Sequence, residues 1–223
     1  MPNSVKALLF DIDGTLVDSD ALHLAAFNQI FGPRGHIFDR ARASKELMGF
    51  SNASIGERFL RDEPPELRLA IMDEKEAAFR SLVAGKITPL PGLLRLLARA
   101  DRAGVPMVAV TNAPRLNAEM LLAGLGIADR FKAIVIGDEL AHGKPHPMPY
   151  LEGLRAVNAS AKSCLAFEDS RSGILAASAA GIATVGIRTS LGHADMIEAG
   201  AFTTAANFDD PELIDLVATT MNW

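Results

Sequence analysis

From residue 89 onward, short apolar segments alternate with segments of helical periodicity, and this alternation restricts the fold more than any other feature of the chain. The apolar segments have the length and composition of buried strands, and they occupy residues 107–110, 133–136, 164–167 and 184–187. Helical patterns separate them at residues 93–103, 116–122, 148–156 and 172–180. Strands joined through helices pair in parallel and need cover on both faces. The alternation therefore predicts a Rossmann-like α/β core, in which helices flank a parallel sheet.

A further apolar segment at residues 5–10 has no strand partner close to it in sequence, so we predict that it joins the later sheet as a central strand. The residues between carry apolar side chains at helical intervals and contain no convincing strand. They predict an all-helical cap inserted after the first strand. The expected division is a core of residues 1–17 and 88–223 and a cap of residues 18–87.

The composition narrows the class of protein. With 49% hydrophobic and 22% charged residues in 223, the chain has the balance of a globular protein with one substantial core and an insertion. The net charge of −5 argues against a nucleic-acid partner. No signal-peptide pattern opens the chain, and no apolar segment approaches the roughly 20 residues of a membrane span. The single cysteine, Cys164, is consistent with a reducing compartment, so we expect a cytoplasmic monomer or homodimer without membrane contact.

The first apolar segment ends in two carboxylates one residue apart, Asp11 and Asp13, followed directly by Gly14. In an extended chain alternate side chains share a face, so both carboxylates can converge on one point. Like charges at this distance raise one another's pKa, and burial adds to the penalty, so a divalent cation or a shared proton is expected. The alternative is an ordinary turn, in which the aspartates only bond nearby backbone amides.

Polar side chains also follow the later predicted strands. Thr111 and Asn112 follow one of them, Glu168 and Asp169 follow another, and Lys144 precedes a predicted helix. Each has a local alternative, because the first four can be helix or turn caps and the lysine can be solvated. In an open parallel sheet, however, ligands bind beyond the carboxyl ends of the strands. Their joint occurrence at such positions favours one shared site.

These segments resemble the four motifs of the haloacid dehalogenase-like superfamily of aspartyl-phosphate hydrolases. They most resemble its branch with a helical cap, which includes β-phosphoglucomutases and phosphoglycolate phosphatases. The matching segments are, in order, DIDGTLVDS at 11–19, VTN at 110–112, GKP at 143–145, and FEDS at 167–170 with Gly173 and AG at 180–181. The resemblance covers essentially the whole chain.

The resemblance implies a reaction and a cofactor. Asp11 is then the nucleophile that forms an aspartyl phosphate, and Asp13 is the general acid and base. Mg²⁺ is then held by Asp11, Asp169 and the backbone carbonyl of Asp13, with Glu168 as a direct or water-mediated ligand. The expected partner is a small phosphorylated molecule.

The resemblance also implies contacts to the phosphoryl group. Lys144 and the metal neutralise that group and the nucleophile, while Thr111, Asn112 and the turn at Gly14 bind phosphate oxygens. These side chains follow different strands, so one phosphate would be held from several segments of the chain.

Candidate substrate contacts from the cap are His23, Phe50, Asn52 and Lys75. His23 resembles a histidine that sugar-phosphate members of the family place near the leaving group. A histidine packed beside an apolar stripe has the same sequence pattern, so both interpretations stay open.

Among the activities of the family, we expect a Mg²⁺-dependent phosphatase for a sugar phosphate or a phosphoglycolate-like metabolite. The acid at Asp13 disfavours the dehalogenase and phosphonate-cleaving branches. The alternative is a sugar phosphomutase, whose relatives carry a basic cap residue where this chain has Asn52. Three other cations remain as substitutes for that residue, namely Arg42, Lys45 and Arg58.

Two non-enzymatic alternatives also remain, a phosphoacceptor receiver and a catalytically silent binding protein. A receiver would be shorter and would lack the helical insertion. His142 and His146 flank the lysine motif and raise the separate hypothesis of a transition-metal site, which the hard oxygen ligands nearby disfavour.

Overall fold

A computed structural model describes residues 6–83 and 85–223. Its centre is a six-stranded sheet with the order β3-β2-β1-β4-β5-β6, in which all neighbouring strands pair in parallel. The predicted Rossmann-like α/β fold is confirmed. The strands are β1 Leu8–Phe10, β2 Met107–Thr111, β3 Phe131–Ile136, β4 Leu165–Glu168, β5 Ala183–Ile187 and β6 Thr203–Ala205.

Strand β1 lies at the centre of the sheet, as the sequence predicts. Leu8 pairs with Met107 of β2 on one side and with Leu165 of β4 on the other. The chain runs outward from β1 through β2 to β3 and then returns to the opposite side of β1 to form β4. The strand order therefore reverses beside β1, and this is where parallel sheets bind their ligands. The first residue of the predicted strand, at position 5, lies outside the described residues.

Both faces of the sheet are covered, and alternate residues of β1 serve opposite faces. Leu8 and Phe10 belong to the larger hydrophobic cluster, whereas Leu9 belongs to a second one that includes Tyr150. The helices of the core are α5 Leu93–Ala103, α6 Arg115–Gly124, α7 Met148–Ala156, α8 Arg171–Ala179, α9 His193–Glu198 and α10 Pro211–Met221. None of the described helices is both long enough and apolar enough to cross a membrane.

Four helices are inserted between β1 and α5, and they are α1 Asp20–Phe31, α2 Arg40–Glu46, α3 Asn52–Phe59 and α4 Pro65–Val83. They have a hydrophobic cluster of their own, which contains Phe27, Phe31, Leu47 and Ile71. An aromatic group at its centre packs edge to face, with the Phe38 and Phe59 ring centroids 5.2 Å apart. The insertion therefore has a hydrophobic cluster of its own, while Ala26 of α1 and Phe79 and Val83 of α4 belong to the larger cluster of the sheet.

The carboxyl-terminal elements were not predicted from the sequence. Strand β6 has three residues, two of them threonines, at the edge of the sheet, so it lacks a buried apolar run. Helix α10 had recognisable signals, because Asp210 accepts a capping hydrogen bond from the backbone of Glu212 and proline occupies the first helical turn. Its apolar residues Leu213, Val217 and Met221 complete the larger cluster.

Candidate active site

The structure brings the strand-end carboxylates together at the carboxyl edge of the sheet. Asp11 follows β1, Glu168 is the last residue of β4, and Asp169 comes next. All three are buried, and each offers a carboxylate oxygen within 4.8 Å of the others. Asp11 is separated from Glu168 and Asp169 by most of the chain, and the parallel pairing of β1 with β4 makes them neighbours.

Lys144 lies among these carboxylates and uses all its protons there. Its Nζ atom donates to Asp11 Oδ1 at 2.6 Å, to Glu168 Oε1 at 2.6 Å and to the Val110 carbonyl at 2.7 Å. Tyr150, which sequence reasoning missed, donates its hydroxyl proton to the same Glu168 oxygen at 2.7 Å. Burial of a phenol beside a carboxylate raises the pKa of Tyr150 well above its usual range. Tyr150 is therefore a neutral donor that holds Glu168.

The cluster carries excess negative charge, with three carboxylates against one ammonium. Burial raises the pKa of Asp11 to about 8 even though the Lys144 charge opposes the shift. Burial also raises the pKa of Asp169, and the charges of Asp11 and Asp20 add to that effect. A divalent cation would relieve this repulsion, and hard oxygen donors are the ligands that Mg²⁺ prefers. The residues present therefore fit Mg²⁺.

The turn after β1 lies directly against this cluster. Gly14 has a φ of +77°, and a Cβ atom there would lie 2.1 Å from Asp169 Oδ2. A side chain at position 14 would thus both strain the backbone and collide with a candidate metal ligand. Ser190, another residue that sequence reasoning missed, donates its hydroxyl to Asp169 and also contacts Asp20 of α1.

The Asp13 side chain points away from the other carboxylates. The backbone carbonyl of Asp13 is therefore the part of this residue that could contact the metal, as the resemblance implies. Its side chain accepts hydrogen bonds from the Ser19 hydroxyl at 2.7 Å and approaches His23 Nε2 to 3.0 Å. Burial raises the pKa of Asp13, but the His23 and Ser19 contacts outweigh it and bring the pKa below its usual value. Ser19 stands at the cap position of α1 without capping it, because its hydroxyl is used by Asp13.

His23 links Asp13 to a buried polar network in α4. Lys75 donates to His23 Nδ1 at 3.1 Å and to Glu76 at 2.9 Å, and Asn117 of α6 donates to the other Glu76 oxygen at 2.6 Å. The His23 ring also stacks on Phe79, with 3.6 Å between the ring centroids. The His23 ring therefore packs on an apolar side chain and also contacts Asp13, and a role near the leaving group stays a prediction.

We predict that Glu76→Gln destabilises the protein by about 3 kcal/mol at pH 7, because Lys75 would then be a buried cation without its partner. Burial raises the pKa of Glu76, but the Lys75 charge outweighs it and lowers that pKa below 4.5. The stabilisation is therefore present above pH 4.5 and is lost as the pH falls through the folded-state pKa. Urea unfolding at pH 7 and near pH 4 measures both effects.

The control for this substitution is Glu74→Gln on the same helix, whose side chain is 61% exposed. We expect this variant to change stability by less than about 0.5 kcal/mol. Equal unfolding free energies for the two variants would show that the Lys75–Glu76 pair contributes no more than a surface charge.

Thr111 and Asn112 lie at the end of β2, beside the cluster, and both are buried. The Asn112 side chain donates to the Lys144 carbonyl at 3.0 Å and to the Gly49 carbonyl at 3.2 Å, and its Oδ1 accepts from the Lys144 amide at 2.9 Å. Asn112 thus holds the Lys144 loop in place. The Thr111 hydroxyl accepts a hydrogen bond from the Ala113 amide at 2.9 Å. Thr111 also lines a cavity next to the carboxylate cluster.

The cavity lies between this edge of the sheet and the inserted helices. Asn52, at the start of α3, lines the cavity from the insertion together with His23 and Phe50.

His142 and His146, the candidates for a transition-metal site, are not among the residues that line this cavity. Their rings lie 4.6 Å apart on a loop, and His146 Nδ1 accepts a hydrogen bond from the Met148 amide, so that nitrogen is not free to bind a metal ion.

A parallel α/β sheet with buried carboxylates and a lysine beside its central strand is an arrangement that can bind a divalent cation and a phosphoryl group. Residues 5–181 match the haloacid dehalogenase-like hydrolase family. The chain belongs to this family, as its motifs indicate.

The relatives have names that refer to different phosphorylated compounds. The fructose-1-phosphate phosphatase YqaB of Escherichia coli is 32% identical over 81% of this chain and 95% of its own. A phosphoglycolate phosphatase of Pectobacterium atrosepticum is 34% identical over 87% of this chain and 85% of its own. The CbbY structure from Rhodobacter sphaeroides with xylulose 1,5-bisphosphate has a TM-score of 0.80 at 30% identity, covering 92% of this chain and 95% of that one.

Proposed function

We propose that this chain is a Mg²⁺-dependent phosphatase that hydrolyses a small phosphorylated metabolite, a sugar phosphate or a phosphoglycolate-like compound, through an aspartyl phosphate on Asp11. The observation that carries the proposal is the buried contact of 2.6 Å between Lys144 Nζ and Asp11 inside a carboxylate cluster. Lys144 orients the Asp11 carboxylate for attack, and its positive charge, together with that of Mg²⁺, favours the ionised form. The named substrates of the relatives support the same class of reaction.

In the first step an Asp11 oxygen forms a bond to phosphorus while the bond from phosphorus to the alcohol oxygen breaks. Asp13 enters this step with a proton, which the departing alkoxide takes, and Asp13 is left as the carboxylate that its contacts with Ser19 and His23 favour. In the second step Asp13 removes a proton from a water molecule, whose oxygen attacks phosphorus and releases Asp11 and inorganic phosphate. Lys144 balances charge on Asp11 and on the phosphoryl group throughout.

Mg²⁺ bound by Asp11, Asp169, Glu168 and the backbone carbonyl of Asp13 would supply positive charge opposite the transferring phosphoryl oxygens. Thr111 supplies a hydroxyl at the same edge. The Gly14 amide already donates to the Val17 carbonyl at 2.8 Å, so Gly14 acts here by letting the turn lie close against Asp169. The protein's part is to hold these groups rigidly, because they follow buried strands.

Residues 18–87 act as a cap in this proposal and form a unit separate from residues 1–17 and 88–223. The separate hydrophobic cluster of α1–α4 supports this division. Closure of the cap over the strand ends excludes water from the nucleophile until the leaving group has departed. The insertion also distinguishes this chain from the shorter receiver alternative.

The test combines metal dependence with the Asp13→Asn variant. Wild-type protein should release inorganic phosphate from small phosphate esters with Mg²⁺ and should stop when the metal is chelated. Asparagine keeps the size of Asp13 but cannot exchange a proton, so turnover should fall by about 10²–10⁴-fold. Mg²⁺ affinity, measured by calorimetry, should be retained, because the Asp13 side chain is turned toward Ser19 and His23.

The matched control is Asp73→Asn, which changes an exposed carboxylate on α4 and should leave turnover unchanged. Full turnover by Asp13→Asn would refute the acid–base role. Loss of Mg²⁺ binding in that variant would contradict the separation of the acid–base residue from the metal ligands.

A further inference from the structure

We propose that the substrate is a phosphate ester of an uncharged alcohol, in which the reacting phosphate is the sole anionic group. This inference rests on the proposed phosphatase function and concerns the part of the cavity that receives the leaving group. It follows from the charges that line the cavity and from the partners that each of its cations already has.

Acidic side chains outnumber basic ones around the cavity. Among the described lining residues the two lysines are Lys75 and Lys144, and the acids are Asp11, Asp13, Asp20, Glu76 and Asp169. Mg²⁺ offsets part of this charge at the strand ends, where the reacting phosphate binds. In the region between Asp13 and Glu76, which lies toward the cap, the lining cation is Lys75, and its charge is already paired with Glu76.

Neither lysine is free to bind a second anion, because each ammonium group is already paired with a carboxylate. Lys144 donates to three acceptors in the carboxylate cluster and serves the reacting phosphate. Lys75 is 2% exposed, donates to Glu76 and His23, and lies 4.2 Å from the centre of the Phe27 ring. Its ammonium is thus surrounded by a carboxylate, an imidazole and an aromatic face, so a ligand cannot reach it without breaking the buried pair.

Two arginines of neighbouring helices also have partners, because Arg80 of α4 donates to Asn117 Oδ1 at 2.8 Å and Arg115 of α6 binds Glu139. Arg115, which follows β2 closely, donates to both oxygens of Glu139 at 2.7 and 2.6 Å. Its pKa is raised by those hydrogen bonds, as expected for a bidentate pair. This pair directs the guanidinium to the outer surface of the core.

The cap cations that could have replaced a basic residue at position 52 lie outside the cavity. Arg42 and Arg58 both bind Glu46, at 2.9 and 3.4 Å. Lys45 lines a separate cleft between the cap and the core. In the described residues, therefore, none of the three candidates from the sequence lines the active-site cavity.

The remaining wall of the cavity is apolar or neutral. Phe27, Leu47, Phe50 and Ile55 contribute apolar surface from the cap, and Asn52 contributes an amide. Such a surface suits the carbon faces and hydroxyl groups of a polyol or a sugar. A carboxylate or a second phosphate would lose its hydration there and face Glu76 and Asp13 without a partner, which is unfavourable.

The test compares substrates that share the reacting phosphate and differ by one additional anionic group. The pairs are fructose 1-phosphate with fructose 1,6-bisphosphate, and 2-hydroxyethyl phosphate with phosphoglycolate. With Mg²⁺ in excess, we expect kcat/KM for the uncharged-leaving-group member to be at least about tenfold higher in each pair. Equal values, or a preference for the doubly anionic member, would overturn the inference.

A variant pair tests the cause. Phe50 is 40% exposed at the rim of the cavity, so Phe50→Arg can introduce a cation there without burying it fully. We expect Phe50→Arg to reduce the ratio of the two kcat/KM values within each substrate pair, whereas the neutral control Phe50→Gln should keep that ratio. An unchanged ratio in Phe50→Arg would mean that charge does not decide the preference.

A binding measurement separates this inference from the proposed function. Calorimetry of the Asp11→Asn variant with Mg²⁺ and each pair should show tighter binding of the member with the uncharged leaving group. If no phosphate is released from any compound by the wild-type protein, the phosphatase function fails, and the binding ratio still decides the charge preference. Equal or tighter binding of the doubly anionic members refutes that preference.

Discussion

Turnover of the Asp11→Asn variant is expected to fall by at least about 10³-fold, because the amide cannot form the phosphorus–oxygen bond that begins the reaction. The variant also loses one of the three clustered carboxylate donors, so its Mg²⁺ affinity should be weaker than that of the wild type. Phosphate release under saturating Mg²⁺ measures the catalytic loss separately from the loss of metal. Turnover close to that of the wild type would remove Asp11 as the nucleophile.

The same variant should not lose stability. Burial raises the pKa of Asp11 from 3.8 to about 8, so its carboxylate lowers the stability of the metal-free protein as the pH rises through that interval. Asparagine removes this penalty, while Lys144 keeps its contact of 2.6 Å with Glu168. The metal-free variant should therefore unfold at the same or a higher temperature than the wild type at pH 7. A lower temperature would show that Asp11 is needed structurally.

Lys144→Met is expected to have the opposite effect on stability, with a loss of about 3–5 kcal/mol in the metal-free protein. Methionine fills similar space but leaves Asp11 and Glu168 buried without their cation, since the Lys144 side chain is 2% exposed between them. Turnover should also be lost, because charge on the nucleophile and the phosphoryl group is no longer balanced. Urea unfolding and phosphate release measure the two effects.

Added Mg²⁺ should recover part of the lost stability, since it supplies positive charge to the same carboxylates. The matched control is Lys86→Met, which changes an exposed lysine and should alter stability by less than about 0.5 kcal/mol. If Lys144→Met were as stable as this control without metal, the carboxylates would not be repelling one another. Asp11→Asn and Lys144→Met thus form a pair with equal loss of activity and opposite effects on stability.

Much of the fold was predictable because it depends on local patterns. The strands at 107–110, 133–136 and 184–187 were recognised from short apolar runs, and β1 was placed at the centre because it had no neighbour in sequence. Strand β6 was missed because two threonines of its three residues give no apolar run. Helix α10 was missed although Asp210 and Pro211 mark its start.

The meeting of three carboxylates at one edge of the sheet could also be predicted for a similar reason, whereas their catalytic and metal-binding roles stay predictions. Asp11, Glu168 and Asp169 follow strands, and parallel pairing brings such residues to one edge of the sheet. Tyr150 and Asn117 were missed because they lie on helix faces where a buried polar residue resembles a core residue. Their partners, Glu168 and Glu76, come from distant parts of the chain, so no local spacing marks them.

The sequence by itself determined the parallel sheet, the insertion after β1 and the carboxylates at the strand ends. These features depend on side-chain alternation and on the position of a residue along its own strand, which are properties of short segments. Only the tertiary structure decided the balance of charge in the cavity. A cation such as Lys75 or Arg115 is available to a ligand only if no carboxylate of the protein has paired with it, and that pairing depends on contacts between helices and loops that are distant in sequence.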